Sequence, residues 1–436
     1  MLNNADNELL VRIENGAPMS QLMRKYWLPV FRSEDLEAGG APRPVTLLGE
    51  RLVAFRDTSG EVGLLDEYCP HRGASLTLAR NVDCSLQCLY HGWRVDREGR
   101  VVETPSEPDD ATFKDRIRQV AYPVRESGGM VWAYLGDPAE TPEFPAFNWA
   151  EADPSHTAIL RVRLSCNWAQ ALEGVIDSAH VSFLHTDYVG RLANGEDAYE
   201  GGGESLLSKV ALDGHPKLKI ENTPYGFRYG AIRDAHRDED GAPVKYVRVT
   251  HFVAPVWGLI PTRQGWSFAQ AFVPVDDHHT MFYFVLHLED APLKPGQREL
   301  LAEWNGITGL DADFALPRHT AANNWGQDRA AMTAGTSFSG MGGYPPLEDI
   351  AVQESMGPVY DRSREHLGTS DVAVIRMRRI MLAAVRALDT GDRTPPALAG
   401  GFDYHAIHAE EAILELDQEW TVVGNPRPTS PASTQV

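Results

Sequence analysis

The chain has 436 residues, of which 43% are hydrophobic and 23% charged, and its formal net charge is −21. That length leaves room for two or three domains with a large core, while the acidity argues against nucleic acid or an anionic membrane as partner. No apolar run is long enough to cross a bilayer and no basic-then-apolar leader opens the chain, so the expectation is no membrane and a cytoplasmic location.

In chain order, residues 8–26 read as a helical lead-in, with Leu9, Leu10, Ile13, Met19, Leu22, Met23 and then Trp27 at roughly helical spacing. From about 41 to 138 the texture is short β-branched and aromatic runs split by Gly, Asp and Pro, as in Val45-Thr46-Leu47-Leu48-Gly49 and Met130-Val131-Trp132-Ala133-Tyr134. This predicts a small all-β domain of hairpins. A Pro-rich passage (Pro138, Pro142, Pro145) marks a boundary, and a second domain is expected over 150–423. Its elements are a strand at 157–165, an amphipathic helix at 167–185, alternating strands between about 206 and 290, and helices at 297–305, 349–366, 370–389 and 404–417. The Pro/Ser/Thr-rich stretch 424–436 reads as a disordered tail, and residues 1–40 as a helical segment packed on the second domain.

Two short loops carry the chemistry of the first domain. Cys69-Pro70-His71-Arg72-Gly73 reads C-x-H, and Cys88-Leu89-Tyr90-His91-Gly92-Trp93 reads C-x-x-H. A zinc site of this composition usually pairs its cysteines in one C-x-x-C turn. One Cys and one His in each loop is instead the donor set of a [2Fe–2S] centre in which two thiolates hold one iron and two imidazoles the other. Gly73 and Gly92 are expected to let backbone N–H groups approach the cluster sulfides. Of the four cysteines two are spent as ligands; Cys84 and Cys166 read as small core residues in a reducing compartment.

A second metal pattern lies in the predicted 167–185 helix: Asp177-x-x-His180-x-x-x-x-His185. His180 and His185, five apart, lie about 140° round an ideal helix and reach one metal only if the helix bends or ends. Two His with a later carboxylate form the facial triad of non-haem Fe(II) oxygenases. Spacing alone leaves that carboxylate open among Glu348, Asp349 and Asp328. Asn167 is a candidate for polar support of the site or, equally, for the helix N-cap.

These motifs, with the runs 346–357 and 361–368, resemble the oxygenase (α) component of Rieske non-haem iron ring-hydroxylating oxygenases. The likeness is to the branch of phthalate 4,5-dioxygenase and the chlorobenzoate and phenoxybenzoate dioxygenases. It implies an α+β fold: an all-β Rieske domain, then an antiparallel sheet surrounded by helices (helix-grip, START-like). It implies Cys69, His71, Cys88 and His91 on the [2Fe–2S] cluster, and His180, His185 and Asp349 on a mononuclear Fe(II). Asp177 would bridge an iron-site His to a cluster His of a neighbouring subunit in a head-to-tail homotrimer or stacked hexamer. Electrons would come from NADH through a flavin/[2Fe–2S] reductase, O₂ would be the oxidant, and the product a cis-dihydrodiol. A monooxygenase or O-demethylase would carry the same irons. A bc-type electron carrier has an extra disulfide cysteine in each loop, absent here. An aromatic carboxylate as substrate calls for Arg in the pocket, and Arg228, Arg233 and Arg248 are the candidates, with Phe252, Trp257 and Phe272 as apolar walls.

Overall fold

The computed structural model describes residues 2–108, 112–203, 205–237, 241–390 and 394–424. The predicted tail, apart from Gly424, therefore lies outside the described residues. The first domain is built from three small antiparallel sheets. Arg43–Leu47, Glu50–Arg56 and Val62–Asp66 form one; Arg80–Val82, Ser85–Gln87, Arg94–Asp96 and Val101–Glu103 form another. The third joins Trp27–Arg32 to Met130–Tyr134 and Val124–Ser127. Trp27 thus begins a strand rather than ending a helix, and the lead-in breaks into two short helices, Asn4–Val11 and Pro18–Met23, where Gly16 takes φ +72°. Val53, Phe55, Leu65, Leu76, Leu86, Trp93 and Val95 give this domain its own core, which includes Cys69 and Cys88.

The second domain is one eight-stranded antiparallel sheet with helices against it. Its order is Thr157–Leu164, Thr280–Leu288, Trp266–Pro274, Trp257–Ile260, Pro243–Val253, Gly226–His236, Lys217–Thr223, with Glu410–Leu414 also paired to Pro243–Val253. The last strand corrects the helix expected over 404–417: only a short turn, Tyr404–Ala406, is helical there. The cause is tertiary, since Ala412 and Ile413 pair with Val247 and Tyr246 across the sheet. The helix expected at 349–366 runs Pro345–Ser355, starting on a proline and stopping before Gly357, and Val372–Thr390 is helical as expected. The two domains share a continuous core. At their junction the Arg161 guanidinium lies over the rings of Phe31, Tyr283 and Phe314, with Asp35 at 3.3 Å.

Candidate functional site

The two Cys/His loops fold as a matched pair. In each, the glycine N–H returns to the cysteine carbonyl (Gly73 to Cys69, 2.9 Å; Gly92 to Cys88, 3.0 Å). The cysteine N–H in turn donates to the residue five positions on, Ala74 or Trp93. Gly73 and Gly92 sit at φ +71° and +78°, a conformation that disfavours any side chain. The glycine amides therefore close the turns instead of facing the cluster, which corrects the expectation; the His71 and Arg72 amides are the ones that reach the Cys69 sulfur. Both thiols are buried and both imidazoles half-buried. The His71 and His91 rings lie 4.4 Å apart, and His71 stacks on Trp93 at 4.5 Å.

This arrangement fits a [2Fe–2S] group. Burial pushes the Cys69 thiol up to about 11, with the neighbouring Cys88 adding to the rise. Two sulfurs so placed ionise only with cationic compensation between them. The buried Nδ1 of His71 has no hydrogen-bond partner among the described residues, as expected of an imidazole whose partner is a metal. Of the spare cysteines, Cys166 is buried as expected, whereas Cys84 is half-exposed in the hairpin turn after Val82, at φ +56°.

The second constellation depends on where a helix stops. Trp168–Ile176 is α-helical, and Asp177 is its extended C-cap. The Asp177 carboxylate accepts from the backbone N–H of Ala179 (2.8 Å) and of His180 (3.4 Å). Such local bonds compete with helix continuation. The chain then makes a 3₁₀ turn over His180–Ser182, and a new helix, Thr186–Ala193, starts with His185 as its N-cap. The 140° separation of an ideal helix is removed, and the two Nε2 atoms lie 3.2 Å apart. Asp349, one residue past the first turn of Pro345–Ser355, brings Oδ1 to 3.5 Å from His180 Nε2 and 3.3 Å from His185 Nε2. Among the described residues this is the one group of three donors within 4.8 Å of one another.

The far side of each ring is also held. His180 Nδ1 lies 3.2 Å from Asp177 and His185 Nδ1 2.8 Å from Glu348. With Nδ1–H donated to a carboxylate, both Nε2 lone pairs point to one place, as metal-ligating His requires. Burial opposes a charged His185, yet Asp349 and then Glu348 outweigh it and raise its pKa to about 9. The locality draws positive charge, and His₂-carboxylate with open positions suits Fe(II).

The remaining candidates divide by geometry. Asn167 is the helix N-cap: it accepts from Ala169 N–H at 3.0 Å and donates to the carbonyls of Val11 and Asp277, at the end of the helix away from His180. Asp328 caps the Arg329–Ala334 helix. Glu348 stands behind His185 rather than beside the Nε2 pair. A cavity of about 100 Å³ opens at the His/His/Asp group, walled by Val175, Tyr188, Tyr199, Tyr229, Phe268 and Phe284, with Thr250, Gln270 and Asn305 as polar contacts. That is the scale of one aromatic ring, given that an apolar void of about 150 Å³ takes benzene. Phe252, Trp257 and Phe272 do not line it; Trp257 stacks with Trp132 and tilts against Trp149, and Phe272 stacks with Phe282.

The three arginines sit on two faces of the sheet. Tyr229 and Arg233 alternate on the cavity face of Gly226–His236, and Tyr246, Arg248 and Thr250 on that of Pro243–Val253. Arg228 has the opposite parity, and its guanidinium meets Glu221 and the carbonyls of Thr421 and Val423, away from the cavity. Arg248 lines the cavity, paired with buried Glu411 at 3.1 Å. Arg233 is 1% exposed and donates to the carbonyls of Asp213 and Ser178, while its Nη1 has no partner among the described residues. Burial, and then the charge of Arg248, bring Arg233 down to about 10. Tyr229, Thr250 and the wall at Phe268 and Phe284 escaped the sequence reading; strand parity counted from Arg248 would have found Thr250, and counted from Arg233 would have found Tyr229.

Comparison with known proteins bears on the same features. The Rieske [2Fe–2S] domain family matches residues 26–120 and the LigXa C-terminal-domain-like family residues 133–430. The chain is 42% identical to the phthalate 4,5-dioxygenase oxygenase subunit of Pseudomonas putida, over 96% of this chain and 94% of that one. It is 36% identical to the 3-chlorobenzoate-3,4-dioxygenase oxygenase subunit of Comamonas testosteroni, over 95% and 96%. The crystal structure of dicamba monooxygenase bound to dicamba shares the fold with a TM-score of 0.58 at 17% identity, covering 84% of this chain and 98% of that one.

Proposed function

The chain belongs to the Rieske [2Fe–2S] oxygenases with a LigXa-like C-terminal domain, and from that membership we propose that it hydroxylates a one-ring aromatic carboxylate of the phthalate or substituted-benzoate type to a cis-dihydrodiol. It is the oxygenase subunit of a multicomponent dioxygenase system with a [2Fe–2S] cluster and a mononuclear iron. The observation that carries the substrate class is buried Arg248 in the wall of a one-ring cavity, with Arg233 behind it on the same sheet face and outside that wall.

Cys69, His71, Cys88 and His91 would hold the cluster, and His180, His185 and Asp349 the iron. When bound, the cluster supplies single electrons and the iron the activation of O₂. The residues of the chain do the rest. Phe268, Phe284 and Val175 present an apolar slot that orders the ring and keeps water out. Arg248 is the guanidinium that reaches the cavity, and Arg233 beside it adds positive charge that Glu411 does not cancel, which favours a carboxylate there. Asp177 holds His180 Nδ1 with one oxygen while its side chain stays 26% exposed. That leaves it room to accept a further N–H from a cluster histidine of a neighbouring subunit. Exposed Leu78, Leu89 and Tyr90 at the cluster loops and exposed Phe183 beside His180 would meet in such a contact, which favours a head-to-tail trimer.

The test is turnover with an NADH-dependent reductase on a panel of phthalate, isophthalate, terephthalate, 3-chlorobenzoate and the uncharged methyl benzoates. A dihydrodiol from at least one free acid and none from its methyl ester is expected. Equal turnover of acid and ester would overturn the role given to the arginines.

A further inference from the structure

The deepest carboxylate of the site is not one of the three converging donors. Glu348 is fully buried, next in sequence to Asp349, and its two oxygens are spent on two groups. Oε2 accepts from His185 Nδ1 at 2.8 Å, and Oε1 from the hydroxyl of Ser339 at 2.5 Å. Ser339, 4% exposed, in turn accepts from the Met341 amide at 3.1 Å. Adjacent residues of one helical turn thus address both nitrogens of the His185 ring: Glu348 at Nδ1 and Asp349 at Nε2.

The loop bearing Ser339 is tied to the other side of the same histidine. Asp187, two residues beyond His185, accepts from the Ser337 hydroxyl and from the Phe338 amide at 2.9 Å. Gly343, at φ +69°, lets the loop pass within contact of Asp187, where a Cβ would stand 3.1 Å from the Asp187 Cβ. Ser339 is therefore placed by the helix that His185 begins, and Glu348 by the helix that carries Asp349.

We propose that Glu348 is a positioning residue for the iron site, fixing the tautomer and orientation of His185 and adding to the site's negative charge, with Ser339 as its support. The inference rests on His180, His185 and Asp349 being the iron ligands. Its physical ground is that a buried carboxylate whose partners among the described residues are an imidazole N–H and a hydroxyl lacks a full countercharge when that imidazole is neutral. A dication reached through the ring supplies one, and the carboxylate in turn makes the ligating nitrogen more basic. Asp177 does the same for His180 from a partly exposed position and at a longer distance, so the grip on His185 is the stronger of the two.

The test uses full-length protein with its cluster intact and the mononuclear site emptied, then titrated with Fe(II) or Co(II) against a competing chelator. E348Q keeps an acceptor for His185 and loses the charge; S339A leaves Glu348 in place and removes its donor. Affinity is expected to fall about 10- to 100-fold in E348Q and by a smaller factor in S339A. The Co(II) ligand-field bands should shift in E348Q while the visible spectrum of the cluster is unchanged. If E348Q does not fold, the S339A affinity and band shift decide the matter. Wild-type affinity and wild-type Co(II) bands in the variants would overturn the proposal alone. A wild-type chain that takes up no iron beyond its cluster would overturn the ligand assignment and this proposal with it.

Discussion

Single residues of the site divide into groups that hold metal and groups that hold those groups. Asp349→Asn is expected to lose mononuclear iron while keeping the visible spectrum of the cluster, which metal analysis beside absorbance would check. Asp177→Asn should keep the cluster, weaken iron binding less than Glu348→Gln does, and slow transfer of electrons from the reduced cluster in iron-loaded protein by about 10- to 100-fold. Rapid reoxidation of the D177N cluster at the wild-type rate would remove Asp177 from the path. Strand parity makes the arginines a sharp contrast: R248M should weaken binding of an aromatic carboxylate about 10- to 100-fold, the worth of a charge-assisted hydrogen bond, and R228M should not. Equilibrium titration of the acid into both variants distinguishes them.

At the scale of elements, buried polar groups decide how firmly the site is framed. Glu173, on the helix that ends at Asp177, accepts from Arg362 Nε at 2.9 Å and Arg378 Nε at 2.8 Å, joining that helix to the 362 segment and to Val372–Thr390. Glu173→Gln leaves buried Arg362 without a carboxylate, while Arg378 keeps Glu365, and should cost about 3–5 kcal/mol, seen as a lowered thermal midpoint. His251 on the sheet gives the pH dependence. Burial, and then the charge of Arg228, depress it to about 3, and it stays neutral between Tyr225 OH and the His408 carbonyl. An unfolded histidine takes its proton near 6.5. Stability is therefore full above that pH and lost as pH falls from 6.5 toward 3, by roughly 2 kcal/mol between pH 7 and 5 from this group. His251→Asn should flatten that part of the stability profile, and an unchanged slope would assign the loss elsewhere.

The scale of elements also explains what was legible in the chain. Cys69, His71, Cys88 and His91 could be read because each loop carries its own pair of ligands within a few residues. His180 and His185 were legible as a pair, but the end of the helix at Ile176 was not, because the Asp177 side chain ends it by bonding its own backbone. Asp349 lies more than 160 residues from His185 and was reached by family resemblance; spacing left Glu348 and Asp328 open. Apolar flanks show that Arg228 and Arg248 sit on alternating strands but not which face meets the cavity, and the register puts Arg228 on the far one. The strand Glu410–Leu414 exists only through its partner Pro243–Val253, so no local pattern announces it.

For the whole molecule, one chain supplies a cluster domain and an iron domain fused by a common core, with exposed apolar residues at the cluster loops and beside His180. A trimer that joins these two surfaces is expected from sedimentation or light scattering. The central claim, that the His180/His185/Asp349 site inserts both atoms of O₂ into the ring of an aromatic carboxylate, is tested most directly by a single turnover under ¹⁸O₂. Protein reduced beforehand, loaded with iron and free of reductase is mixed with the acid that binds best, and the product is weighed by mass spectrometry. A cis-dihydrodiol carrying two labelled oxygen atoms is expected. A product with one labelled atom would contradict it and make the enzyme a monooxygenase built on the same site.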